Sequence, residues 1–125
     1  MAGTIVADTI QDGAGNSTSM DNAIYGSAKA WVEFTGITTV TVGASYNVSS
    51  VTRRGTGQYT VNFTSAFADA NYSGVYGCRS AAGNAMFFEE DHDTPVRTTT
   101  QINLQTFSIG VGNQDLQIGS AVFNR

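Results

Sequence analysis

The chain is short of charge, and that scarcity sets its first limits. Charged residues occupy 13% of 125 positions, about half the usual share of roughly 25%. Lys29 is the single lysine, and Arg53-Arg54 is the single adjacent basic pair. A phosphate-backbone binder needs clustered Lys and Arg. With a net charge of −4, no nucleic acid is expected as a partner. Cysteine is nearly absent too. Cys78 stands alone, so no intrachain disulfide can form. It lies in an apolar alternating run and reads as a small buried hydrophobe. The single proline, Pro95, lacks a backbone donor and suits a strand entrance. No apolar stretch approaches the ~20 residues of a membrane-spanning helix, so no membrane insertion is expected. No basic start followed by an apolar run opens the chain, so no secretion signal is expected. Helical periodicity never outlasts a turn, and no repeat falls at solenoid spacing.

What remains is hydrophobic and hydroxyl- or amide-bearing. Hydrophobic residues make up 41% of the sequence, enough for a core in one domain but not two. The polar surface falls to Ser, Thr, Asn and Gln. Such a surface depends little on ion pairs and so tolerates variable salt.

Period-two alternation, the mark of a half-buried strand, is clearest between Tyr46 and Tyr72. Tyr46, Val48 and Ser50 share one face of a first run; Tyr59, Val61 and Phe63 share one face of a second. Between them, Arg54-Gly55-Thr56-Gly57 reads as a hairpin turn. Around this hairpin the sequence predicts strands over 28–35, 38–42, 71–79, 85–90, 96–107 and 116–123. In the first, Ala30, Val32 and Phe34 face inward and Trp31 is expected to be buried on the other side. Val40 and Val42 face inward in the second. Leu116, Ile118 and Val122 are aligned in the last. Phe67 is expected to plug the core edge. Short strands at regular spacing predict an all-β fold, an antiparallel, jelly-roll-like β-sandwich of about eight strands over residues 28–125.

Residues 1–27 read as an arm. A short strand holds Ile5, Val6 and Ile10, and the turn QDGAGN follows. The polar stretch 17–27 carries Met20, Ile24 and Tyr25, with a helical turn at 20–23 that Ser19 can cap. Such an arm buries little against its own domain and suits docking to a neighbouring subunit or a larger particle.

Several words of the sequence carry a family resemblance. They are Gly26-Ser27-Ala28-Lys29-Ala30-Trp31-Val32, Tyr46-Asn47-Val48-Ser49-Ser50, Gly55-Thr56-Gly57 with Tyr59-Thr60-Val61-Asn62-Phe63, and Ala68-Asp69-Ala70-Asn71-Tyr72. In wording and spacing they resemble the C-terminal module of tail-fibre and related virion proteins of tailed bacteriophages, especially those of marine bacteria and cyanobacteria. The likeness covers roughly Thr9 to Tyr72. Near the hairpin turn, where the family carries an Asp or Asn, this chain has Arg53 and Arg54. The resemblance implies a structural or host-recognition role in a virion, threefold symmetry, and synthesis in a host cytoplasm with release by lysis. Implied partners are other copies as a homotrimer, other virion proteins of tail, baseplate or capsid, and host-surface carbohydrate. The arm would attach a tail-fibre or receptor-binding knob, or else a capsid decoration or baseplate accessory protein.

Ionisable groups crowd at one place, Glu89-Glu90-Asp91-His92-Asp93. Carboxylates beside an imidazole can ligate a cation. No second His or Cys completes a transition-metal set, and a solvated acidic loop or a receptor-contact loop accounts for the same residues. The candidate contact loops comprise Arg54, Thr56, Glu90, Asp91, His92, Asp93 and Arg97. Aromatic faces can stack on sugars, with Trp31, Tyr46, Tyr72 and Tyr76 as candidates; their alternation with polar residues makes most of them core or interface residues instead. Catalysis is not expected. No GxSxG elbow accompanies a serine, and no carboxylate pair among Glu33, Asp69, Asp91 and Asp115 is singled out. No cofactor and no metal are expected.

Overall fold

Alternating runs and glycine-marked turns fold into eleven strands and one short helix among the described residues. The computed structural model describes residues 3–125; the side chains at 21, 22 and 25, and with them the candidate Tyr25, lie outside the described residues. The elements are β1 (Thr9–Gln11), β2 (Ser17–Ser19), α1 (Met20–Gly26), β3 (Ala28–Thr35), β4 (Thr41–Tyr46), β5 (Val48–Gly55), β6 (Gln58–Phe63), β7 (Ser73–Ser80), β8 (Met86–Glu90), β9 (Gln101–Ser108), β10 (Gly112–Asn113) and β11 (Leu116–Asn124). Sheet one runs β4-β3-β11-β7, and sheet two runs β10-β9-β6-β5 with β8 also on β9. Strands β1 and β2 form a separate ribbon. Every pairing is antiparallel. The fold is an all-β antiparallel sandwich, with more strands than the eight the sequence suggested.

Both sheets feed one core. Ala30, Val32, Phe34, Ala121 and Phe123 come from sheet one; Val51, Tyr59, Val61, Phe63, Ile102 and Leu104 come from sheet two. At one end Phe63 meets Phe67, Tyr72 and Phe123 edge-on, an arrangement that suits the ring quadrupoles. Phe67 is buried and seals that edge. Tyr59 crosses the middle, and its hydroxyl donates to the Gly36 carbonyl at 3.1 Å.

Four expectations need correction. The long strand predicted over 96–107 is two segments. Thr98 Oγ1 accepts from the N–H groups of Thr100 and Gln101 at 3.2 and 3.1 Å, and the Thr98 N–H donates to the Gln101 carbonyl. A local hydroxyl offered the backbone a turn in place of the ladder. Strand β4 begins at Thr41, later than predicted, and takes Tyr46 away from the hairpin. The break falls at Asn47, whose φ of 53° lies in the left-handed region that Asn tolerates better than most residues. In β11 the register shifts between Leu116 and Ile118. The extra residue turns Gly119, Ala121 and Phe123 inward and leaves Ile118 and Val122 outward, since one slip exchanges the two faces. The stretch 17–27, expected to hold only a helical turn at 20–23, carries β2 and the longer α1. The β1–β2 hairpin is closed by Asp12, which accepts from the N–H groups of Ala14 and Asn16 at 2.9 Å each, and α1 follows directly.

Candidate interaction surface

The two outer faces of the sandwich differ. On sheet two the outward positions are amides and hydroxyls that bond to one another. Thr60 Oγ1 donates to Asn103 Oδ1 at 2.7 Å, and Asn62 Nδ2 donates to Ser50 Oγ at 3.1 Å. The segment 91–100 folds over part of this face. Asn103 Nδ2 donates to the Thr94 carbonyl at 2.9 Å, and Thr60, Asn103 and Gln105 become buried.

Sheet one has no such cover among the described residues. Its registers place Tyr46 opposite Trp31, Trp31 opposite Val122 and Val122 opposite Val75. The four residues therefore form one row across all four strands, on the outward face. Val75 is 66% exposed, Tyr46 59% and Trp31 38%. The expected burial of Trp31 on its outer side is thus corrected: among the described residues no layer covers that face, and Trp31 stays 38% exposed. Beside this row runs a second one of small and polar residues, Ala44, Glu33, Ser120 and Gly77. Isolated exposed apolar residues need no explanation; an aligned row of them is a candidate contact surface.

The Tyr46 end of the row opens on a concavity of about 740 Å³ whose wall includes Lys29, Tyr46, Asn47, Ser65, Phe67 and Arg125. Asn47 builds the wall. Its Oδ1 accepts from the Ser65 N–H at 2.7 Å, and its Nδ2 donates to the carbonyls of Lys29 and Ser65 at 3.1 and 3.2 Å. One side chain thereby ties the start of β3, the β4–β5 corner and the loop after β6. Lys29 Nζ donates to the Ile24 carbonyl and to Ser27 Oγ, and has no carboxylate partner among the described residues. Arg125 pairs with Asp69. That hydrogen bond, with a second from the Asn71 N–H, holds the Asp69 carboxyl below the ordinary carboxylate range.

Six of the seven loop residues singled out in the sequence fall into three separate groups. Arg54 reaches across to Asp91, whose side chain is fully buried, and to Thr94 Oγ1 at 2.6 Å. Asp91 also accepts from the N–H groups of Asp93 and Thr94 at 2.9 Å each and from the Thr94 hydroxyl. Burial pushes its carboxyl upward, but Arg54, Thr94 and Asp93 together outweigh that and hold it at about 2. In the second group Arg97 pairs with Glu90, donates to the Tyr72 carbonyl and lies over the Tyr72 ring at 5.1 Å. The Tyr76 hydroxyl donates to Glu90, and burial pushes that phenol up to about 12. Third, His92 stands between Asp93, at 3.1 Å, and Glu89, at 3.9 Å. Among the described residues no three His, Cys, Asp or Glu side chains are placed to hold a metal ion. Thr56 accepts from Arg53 at 3.3 Å.

Arg54, Asp91, Glu90 and Arg97 are thus engaged within the chain. His92, Asp93 and Glu89 keep more than half of their side-chain surface in water. Of the aromatic candidates, Tyr72 is buried and Tyr76 half-buried, whereas Trp31 and Tyr46 remain exposed. Sequence reasoning missed the cavity and the row. The row had a legible signal, namely apolar residues at outward positions of predicted strands, but its continuity depends on inter-strand register. Of the arm candidates, Ile5, Val6, Ile10 and Ile24 are exposed and Met20 is half-buried.

A scan against protein-family models, a search of the curated proteins and a search of the solved structures each return no match to this chain.

Proposed function

We propose that the chain is a structural protein of a bacteriophage virion, a small β-sandwich knob that associates with its own copies as a homotrimer and joins the particle through its N-terminal arm. The observation that carries the associating part is the row Tyr46–Trp31–Val122–Val75 across the open face of sheet one. Exposed apolar surface of this kind is covered by symmetric association at little cost, because identical copies bring identical patches. The virion and the threefold symmetry rest on the resemblance of the quoted sequence words to tail-fibre modules. A position as a capsid decoration or baseplate accessory protein uses the same surfaces.

A second reading is favoured by the cavity. Tyr46 offers an exposed ring beside Lys29, and the Arg125 guanidinium lies on the same wall. An aromatic face next to cations suits an acidic saccharide on a host surface.

Particles purified from a lysate separate these readings. Gold-labelled antibody against the chain should decorate intact particles at a fixed position. Protein lacking residues 1–27 should fold and yet fail to join them. Truncated protein that is still incorporated would contradict the arm assignment, and absence of the chain from particles would contradict the virion role. Binding of free protein to host cells, lost when their polysaccharide is removed, would favour the adhesin reading.

A further inference from the structure

The open edge of sheet one is unusual in its chemistry. Among the described residues β4 is paired on one side only, by β3. All six of its residues, Thr41-Val42-Gly43-Ala44-Ser45-Tyr46, are exposed. Natural edge strands are commonly blunted by Lys, Pro or inward-pointing charge, because a row of unpaired N–H and C=O groups is a template for another chain. This edge has no charged residue and no proline.

The arm has the opposite lack. Ile5 and Val6 are 84% and 93% exposed, and Thr4-Ile5-Val6 is a β-branched run suited to a pleated sheet. Five residues from Thr4 to Asp8 cover about 17 Å when extended, close to the roughly 20 Å of a six-residue strand. Residues 1–27 contain three Asp and no Lys or Arg. The Tyr46 end of β4 is flanked by Lys29 and Arg125 on the cavity wall, with no carboxylate answering Lys29 among the described residues. Shape, hydrogen-bonding capacity and charge are therefore complementary between the leading segment and the β4 edge.

We infer that residues Thr4–Asp8 of one copy add as a strand to β4 of a second copy, with Asp8 toward Lys29. This rests on the self-associating reading above and names the partner of the arm's leading segment. The added strand satisfies the edge's backbone groups, as in other cases of β-strand addition. It also sets a β-branched side chain beside Tyr46, extending the apolar row by one residue. The β1–β2 hairpin and α1 are left free to face the particle.

Complementation between two variants of the full chain tests this. Val6→Pro removes a backbone donor from the arm, at an exposed position where the fold does not depend on it. Ala44→Lys charges the edge and leaves the arm intact; the exposed Ala44 lies opposite Glu33, which can pair with the new charge. Circular dichroism confirms that both variants are folded. By light scattering each variant alone should associate at least about a hundredfold more weakly than the parent, as loss of two buried apolar side chains implies. Mixed, they should form a one-to-one pair, because one supplies an arm and the other an edge. If Val6→Pro associates like the parent while the edge variant does not, the oligomer stands and the arm assignment is overturned. If both variants are monomeric and their mixture stays so, strand addition is overturned. A parent chain that is itself monomeric at micromolar concentration overturns the self-associating reading as well.

Discussion

Replacing Asp91 with alanine should cost about 3 to 5 kcal/mol of folding stability, the usual range for breaking a buried ion pair from one side. The carboxylate is out of contact with water and gathers Arg54, the Thr94 hydroxyl and two backbone N–H groups. Without it a guanidinium loses its counter-charge and the segment 91–94 loses its anchor to the hairpin. The covered hydroxyl of Thr60 and amide of Asn103 on sheet two would be wetted when that segment lifts. Asp91→Asn keeps an oxygen for the N–H groups but loses the charge, and should cost about half as much. Urea denaturation of the three proteins measures this; a cost below about 1 kcal/mol for the alanine variant would show that the ion pair is incidental. The same group fixes the acid limit. Its carboxyl sits at about 2 in the folded chain against an ordinary 3.8, so the unfolded chain binds the proton more readily. The stabilisation is complete above about pH 4 and is lost as pH falls toward 2, a contribution on the order of 2 kcal/mol. Asp115 is lowered as well: burial works against it, but hydrogen bonds from Arg53, Gly57 and Tyr59 prevail. It adds to the loss over the same direction of pH. The acid-induced drop should be shallower in Asp91→Asn.

Gly57→Ala is expected to be nearly as damaging, at about 3 kcal/mol. Gly57 sits in the β5–β6 turn with φ of +66°, where a side chain strains the backbone. A Cβ there would also come within 2.7 Å of the Gln114 carbonyl oxygen and within 2.8 Å of Thr106 Oγ1. Those atoms cannot retreat cheaply. The Gly57 N–H donates to Asp115 at 2.9 Å, and its carbonyl accepts from the Thr106 N–H at 2.7 Å. Gly83 supplies the control, because its φ of +75° is similar and no atom lies within 4 Å of a Cβ. Gly83→Ala should show the backbone penalty alone, about 1 kcal/mol. Equal costs at the two positions would mean that the close approach of Gln114 and Thr106 contributes nothing.

Alternation was sufficient to place β3 and β6. Ala30, Val32, Phe34, Tyr59, Val61 and Phe63 all point inward as their spacing implies. It failed where a single residue alters the phase. The shift after Leu116 exchanged the faces of β11, and the Thr98 hydroxyl cut a long alternating run in two; neither leaves a periodic trace. The apolar row is hidden for a related reason. Trp31, Tyr46, Val75 and Val122 come from four strands, and only the register of each pairing brings them into line. The ion pairs Arg54–Asp91 and Arg53–Asp115 span 37 and 62 residues, so no local pattern announces them. Arg54 and the acidic loop were each legible as candidate contact loops; that they bind each other was not.

The most direct test of the contact surface uses the chain's own reporter, since Trp31 is its only tryptophan and lies within the exposed row. Emission and acrylamide quenching of Trp31 can be followed as protein concentration rises through the association range. Association through sheet one predicts a blue shift with a matching loss of quenching, both abolished by Val75→Asp. Emission that stays at its water-exposed wavelength and remains fully quenchable, while light scattering shows that copies have associated, would place the contact elsewhere and contradict the account.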